Sequence, residues 1–214
     1  MSLLQRVKNK LFVELNPRFR ERFIAPRYRK AGQEMPQDVT ILSSNCLGGV
    51  ICHELGLRFL SPTINLWMTP SDFIKYCANL RHYSACKLQF VGGGKFSYPI
   101  GILGDITIYF QHYATEFEAQ AKWEERTNRI NYNNIHCILT ERDGCTDEDL
   151  VAFAQLPYST AALVHTPKPH IPNTHYIRDF EKEAELGNLM LYKQGQYFGR
   201  KYFDDFDFIS FLRR

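Results

Sequence analysis

Strand-like and helix-like stretches alternate along this chain, which predicts an α/β fold: three α/β/α layers around a mixed, mainly parallel sheet. The helix starts support this reading. Helix-start signals stand between the apolar stretches, at Thr69-Pro70-Ser71-Asp72, Thr115-Glu116-Phe117-Glu118 and Thr146-Asp147-Glu148-Asp149. The apolar fraction of 44% is enough for a sizeable core in a chain of 214 residues. That length fits one domain with an appendage.

The elements follow in order. Residues 1–37 read as a basic N-terminal arm and linker, and 38–214 as a single α/β domain. In the arm, Leu3, Leu4, Val7, Leu11, Phe12, Leu15, Phe19 and Phe23 recur at helical spacing among basic residues. Pro17 is expected to interrupt or restart that helix. Ala31–Gln37, with Gly32 and Pro36, reads as the linker. Val39–Ser43 is an apolar strand, and Gly48–Leu55 a helix ended by Gly56. Thr63–Trp67 reads as a second strand, and Thr69 caps a helix running to about Tyr83. Lys87–Val91 is a short strand stopped by Gly92-Gly93-Gly94. Pro99–Asp105 is a turn-rich approach to the strand Ile106–Gln111. No helix separates that strand from Lys87–Val91, so it is expected to run antiparallel. Thr115 opens a helix to about Arg129, Ile135–Leu139 is a strand, and Thr146 caps a helix to about Ala154. Ala161–Val164 is a further strand. Beyond Pro167 the pattern favours loops until a closing helix at Phe206–Leu212.

Charge is unevenly spread. Residues 1–30 hold nine Lys and Arg against Glu14 and Glu21, a net +7. The whole chain carries +3, so the remainder carries −4. An acidic body with a basic arm speaks against nucleic-acid binding. Two readings stay open for the arm: a surface helix packed on its own domain, or peripheral contact of residues 1–30 with an anionic membrane. No window approaches the roughly 18 consecutive apolar residues of a membrane-spanning helix. The six cysteines form no C-x-x-C pair and lack ligand-spaced histidines, so neither zinc, another cofactor nor a disulfide is expected, and a reducing cytoplasmic setting fits.

The most informative stretch is Thr40–Leu55, a strand leading through Ser44-Asn45-Cys46 into a helix that begins with glycines. That geometry lets backbone N–H groups meet an anion. It is neither G-x-G-x-x-G nor a P-loop, so it suggests a ligand position without naming the ligand. Ser44, Asn45, Gly48 and Gly49 are its candidate contacts. Asn45 is equally suited to capping the helix, and Cys46 reads better as a packed thiol than as a nucleophile.

Open α/β sheets bind ligands beyond the carboxyl ends of their strands. Residues at those positions are Trp67, His112, Arg142, Asp143, His165 and Lys168. Asp143, His112 and His165 are the acid/base candidates, Arg142 and Lys168 suit anions, His165 also suits substrate, and Trp67 suits a sugar face. Each has an ordinary alternative: scaffold for the histidines, a turn for Asp143-Gly144, core for Trp67. Arg129 and Asn131 lie in Arg126–Asn134, a stretch dense in hydrogen-bonding groups that ends a helix, where Arg129 suits phosphate or the helix terminus. Asp204-Asp205-Phe206-Asp207 holds an Asp-x-Asp pattern, ordinary at a helix start and too short to argue a metal alone.

Several of these segments together carry a resemblance. Ser44–Gly49, Ser61–Leu66, Tyr98–Gly101, Gly104–Ile106, Trp123–Arg126, Arg129–Asn134 and Thr140–Cys145 resemble the bacterial domain of unknown function 1919 family over roughly residues 38–212. Members are commonly labelled exopolysaccharide biosynthesis proteins. The resemblance implies a place in capsule or exopolysaccharide assembly, with a nucleotide-activated sugar or a glycan as substrate and a glycosyltransferase-like reaction. It implies no catalytic residue. Transfer of an acyl or phosphoryl-linked substituent, and non-catalytic glycan binding, are the alternatives. A lipid-linked acceptor would place the protein at the inner membrane.

Overall fold

The computed structural model describes residues 12, 14–92, 96–194 and 198–214. Leu3, Leu4, Val7 and Leu11 of the expected apolar stripe, and Gly93 and Gly94, lie outside the described residues. The fold is mixed α/β with helices on both sides of a mainly parallel sheet.

The backbone is helical from 14 to 19, Pro17 included, and then widens into a π-type turn at Arg20–Ile24. There Ala25 N–H donates to the Arg20 carbonyl, five residues back. The cause is adjacent: Pro26 has no N–H to give the carbonyl of Arg22, and its ring crowds that carbonyl. The helix continues as α1, Ala25–Gln33, into the stretch read as linker. Gly32 is needed there, because a Cβ would stand 1.9 Å from the Leu55 carbonyl oxygen.

The main sheet contains β1 (Thr40–Ser43), β5 (Ile135–Thr140), β6 (Ser159–Val164) and β7 (Thr174–Tyr176), all paired in parallel in that order. β1 and β5 are buried throughout, as both faces of the sheet are covered. Helix α2 (Leu47–Leu55) packs on one face with the C-terminal helix α7 (Phe208–Leu212). Helices α3 (Pro70–Ala78), α5 (Glu116–Thr127) and α6 (Asp147–Ala154) pack on the other. Thr69, Thr115 and Thr146 cap α3, α5 and α6 as their side chains accept the N–H of Asp72, Glu118 and Asp149. The helix expected to reach Tyr83 breaks at Asn79, and α4 (Leu80–Ala85) follows.

A second sheet is antiparallel: β2 (Leu88–Val91), β3 (Ile100–Leu103) and β4 (Ile106–Tyr109). The strand expected to run antiparallel after Lys87–Val91 does so only against the intervening β3, so β4 runs in the same direction as β2, in a sheet separate from the main one. The turn-rich approach at Pro99–Asp105 contains β3, and Gly104, with φ 64°, makes the two-residue turn into β4.

Thr63–Trp67 is not a strand. Ser43 N–H donates to Thr63 Oγ1 at 3.0 Å, and Ser61 Oγ lies 2.9 Å from the same oxygen, so side chains replace a ladder. Asn65 then turns with φ 62°, and only Trp67 forms a bridge, to Tyr109. Met68 N–H donates to the Ser44 carbonyl at 3.0 Å. The segment around Trp67 therefore joins β4 to the carboxyl end of β1 and forms a seam between the two sheets.

Candidate cleft at the seam of the two sheets

A cleft of about 840 Å³ opens beside that seam. Its floor is one face of α2 and the residue before it: Cys46, Gly49, Val50 and His53, spaced three and four apart. The missing side chain of Gly49 keeps the floor low. Ile64 and Asn65 wall one side with His112, three residues beyond β4. The N-terminal helix walls another, through Pro17, Arg20, Glu21, Ala25 and Arg29. Met190, Tyr192 and Lys201 close the third. The π-type turn thus borders the cleft, in keeping with the frequent placement of such turns at functional sites.

The charges along the wall are ordered by one another. Arg20 Nε donates to Glu54 Oε1 at 2.9 Å, and Lys201 Nζ stands 3.5 Å from that oxygen. Arg29 pairs with Glu21 at 2.6 Å. His53 and His112 are both exposed on the cleft, and His112 N–H donates to the Asn65 carbonyl at 3.3 Å. Asn45 Oδ1 accepts the N–H of Leu47 at 3.0 Å, satisfying the first backbone donor of α2 from just ahead of its N-cap, Cys46. The first intrahelical bond runs from Val50 N–H to the Cys46 carbonyl. Helix geometry leaves the N–H groups of Gly48 and Gly49 outside the intrahelical ladder. Burial pushes the Cys46 thiol above its ordinary value, so it stays protonated at neutral pH and is no ready nucleophile.

The residues singled out from sequence divide among several places. His112 and Gly49 line the cleft. Gly48 faces β1, where a Cβ would stand 2.8 Å from Ser43 Cβ. Ser44 is buried and its Oγ accepts the Thr140 N–H at 3.2 Å, tying β1 to β5. Trp67 stacks on Tyr109 at 3.9 Å with rings 7° apart. Arg129 pairs with Glu125 and reaches the Phe59 carbonyl at 3.5 Å. Asn131 donates to Asp38 at 2.9 Å and 3.0 Å and holds the entry to β1.

Arg142, Asp143 and His165 form a second group at the carboxyl ends of β5 and β6. Asp143, with φ 57°, takes an Arg142 Nε hydrogen bond at 3.2 Å, while its N–H donates to Glu185 at 2.7 Å. Glu141 is buried, and its Oε2 accepts both the backbone N–H of His165 at 2.8 Å and His165 Nδ1 at 2.6 Å. Its Oε1 meets Lys168 Nζ at 3.1 Å. This carboxylate, meeting both the backbone N–H and the ring of His165, fixes the orientation of that ring.

The acidic run near the C-terminus is occupied by protein groups. Asp204 accepts from Arg20, from Tyr28 at 2.9 Å and from the Lys201 N–H at 2.7 Å. Asp205 pairs with Lys193 at 2.7 Å, and Asp207 caps α7 by accepting Ser210 N–H at 3.0 Å.

His53, Arg20, Tyr192 and Lys201 were not singled out. His53 was within reach of the sequence, because extending the helical period from Cys46 through Gly49 and Val50 arrives at it. The other three come to the cleft only through long-range packing.

The family model that matches the chain, described as a domain of unknown function (DUF1919), spans residues 18–213. It begins ahead of the boundary expected at residue 38 and so takes in most of the cleft's helical wall. A similar protein of Haemophilus influenzae (strain ATCC 51907 / DSM 11121 / KW20 / Rd), described as uncharacterized, is 39% identical over 177 residues, 82% of this chain and 84% of that protein. The chain belongs to the DUF1919 family.

Proposed function

We propose that the protein is a transferase of surface-polysaccharide assembly that holds a nucleotide-activated sugar in the cleft at the seam of the sheets. The observation that carries this is the cleft itself: about 840 Å³, floored by the first turn of α2 at Gly49 and flanked by two exposed histidines. Clefts of a few hundred to ~1,000 Å³ suit ligands of that size. The diphosphate would lie over the Gly49 N–H, where the helix dipole favours negative charge, with Lys201 and Arg29 adding positive charge from the walls. His112, exposed on the cleft, would take the proton of an acceptor hydroxyl as the glycosyl carbon leaves the diphosphate. The pathway rests on the resemblance to proteins labelled for exopolysaccharide biosynthesis.

The test is incubation with nucleotide sugars labelled in the sugar and a saccharide acceptor, followed by product analysis. Labelled sugar on the acceptor, with release of nucleoside diphosphate, is the expected result. Acceptors that gain an acyl or phosphoryl group from other donors, and no sugar, would assign the cleft to a different transfer.

A further inference from the structure

The N-terminal helix buries Ala25 in the ordinary way, but it also buries polar groups and exposes apolar ones. Its inward side carries Asn16, fully buried, and Arg20, 4% exposed. Asn16 Oδ1 accepts the Gly199 N–H at 2.6 Å, and Arg20 is held by Glu54, Asp204 and the Gly199 carbonyl. Its outward side carries Leu15 and Phe23, 40% and 49% exposed, with Phe19 on the same i, i+4 row. The phenyl rings of Phe19 and Phe23 are 4.7 Å apart, and Phe198, also exposed, adds its ring 5.1 Å from Phe19. Two distant segments thus build one apolar patch. Arg18 and Arg22 are exposed beside it, and the Arg22 guanidinium sits 5.6 Å over the Phe23 ring. Arg27 and Lys30 are exposed on the following turns.

Buried polar groups beside an exposed apolar patch are the informative exceptions to the usual order. We propose that this outer face docks on an anionic membrane surface. Rings and leucine would enter the acyl boundary while the arginines meet lipid phosphates, the pattern of an interfacial helix. Charge favours this occupant: Arg18, Arg22 and Arg27 are exposed around the patch, and an anionic bilayer complements them. The inner side of the same helix walls the cleft. Docking would therefore hold the cleft beside the bilayer, where a lipid-linked acceptor arrives. That last step rests on the function proposed above; the docking itself does not.

The experiment is co-sedimentation of the full chain with vesicles of phosphatidylcholine alone and with about 30% phosphatidylglycerol. Binding to the anionic vesicles at low salt is expected, with little to the neutral ones. It should vanish near 1 M salt, where charges are screened within about 3 Å. Arg18→Gln/Arg22→Gln should lower partitioning roughly thirty-fold, from about 1 kcal/mol per basic residue. Leu15→Ser/Phe23→Ser, and Phe198→Ser alone, should also weaken it, with melting temperatures showing that each variant is folded. The proposal fails if no vesicle binds, if neutral and anionic vesicles bind alike, if folded variants bind like the parent, or if the patch instead forms a dimer in gel filtration. Nucleotide-sugar binding by the same variants is measured in parallel. Its loss or retention speaks to the cleft alone, so the two proposals fail separately.

Discussion

Arg20 and Asp204, 184 residues apart in the chain, meet in a two-pronged ion pair, Nη1 to Oδ2 at 2.7 Å and Nη2 to Oδ1 at 3.1 Å. Both side chains are at most 5% exposed. The pair anchors the N-terminal helix to the C-terminal segment, and so sets two walls of the cleft against each other.

Removing one partner of a buried pair leaves the other charge without compensation. Asp204→Ala is expected to cost about 3 kcal/mol or more in unfolding free energy, read by urea denaturation. Glu21→Gln breaks the exposed pair with Arg29 and should cost less than about 1 kcal/mol. Equal, small effects for the two variants would mean that the Arg20 cluster does not hold the helix.

Stability should decline as pH falls below neutrality. Burial holds His136 below its ordinary value, and burial with Arg214 nearby does the same to His175. At such sites the unfolded chain takes up protons before the folded one, so unfolding gains as pH drops through about 6.5, the ordinary histidine value. Above that pH both states are neutral and this contribution is fully present. His136 packs edge-on against Phe211, 5.1 Å between ring centres. His136→Phe is therefore expected to flatten the decline between pH 7.5 and 5.5 without abolishing it, measured by denaturation at each pH. Stability that rises on acidification through this window would contradict the assignment.

Two candidate bases lie in different places, which separates their roles. His112→Asn is expected to lower turnover by roughly a hundredfold or more, the usual contribution of a general base. Asp143→Asn should retain most activity and the fold, because Asn tolerates the positive φ of 57° at that position. A turnover assay on both variants decides it; a large loss in Asp143→Asn alone would move the chemistry to the group around Glu141 and His165.

Local signals in the sequence placed most of the main sheet. The buried run at β1, the three threonine caps and the paired runs at β5 and β6 each declare themselves within a few residues. Elements whose cause is distant did not. Thr63 reads as strand because it is β-branched and apolar residues flank it, yet its hydroxyl is spent on Ser43, twenty residues away. β3 was hidden by Gly101 and Gly104, which are there because Leu88 and Phe110 crowd the first and a tight turn needs the second. β7 is three residues long and too short to show a period. The cleft follows the same rule: His112 and Gly49 were visible beside strand ends, while Arg20 and Lys201 arrive through a cluster that joins the two ends of the chain.

The most direct measurement is a thermal-shift titration of nucleotide sugars, with and without divalent cations, on the parent protein and on Gly49→Leu. A Cβ at Gly49 meets Ile64 at 3.4 Å, an ordinary contact, so the longer side chain should fold and fill the cleft floor. A true donor at about a hundred times its dissociation constant should stabilise the parent by about 2.7 kcal/mol, roughly 5–10 °C for a chain of this size. That shift should be absent in a folded Gly49→Leu protein. If no nucleotide sugar stabilises the parent, or if one stabilises both proteins equally, the cleft over α2 does not bind the donor.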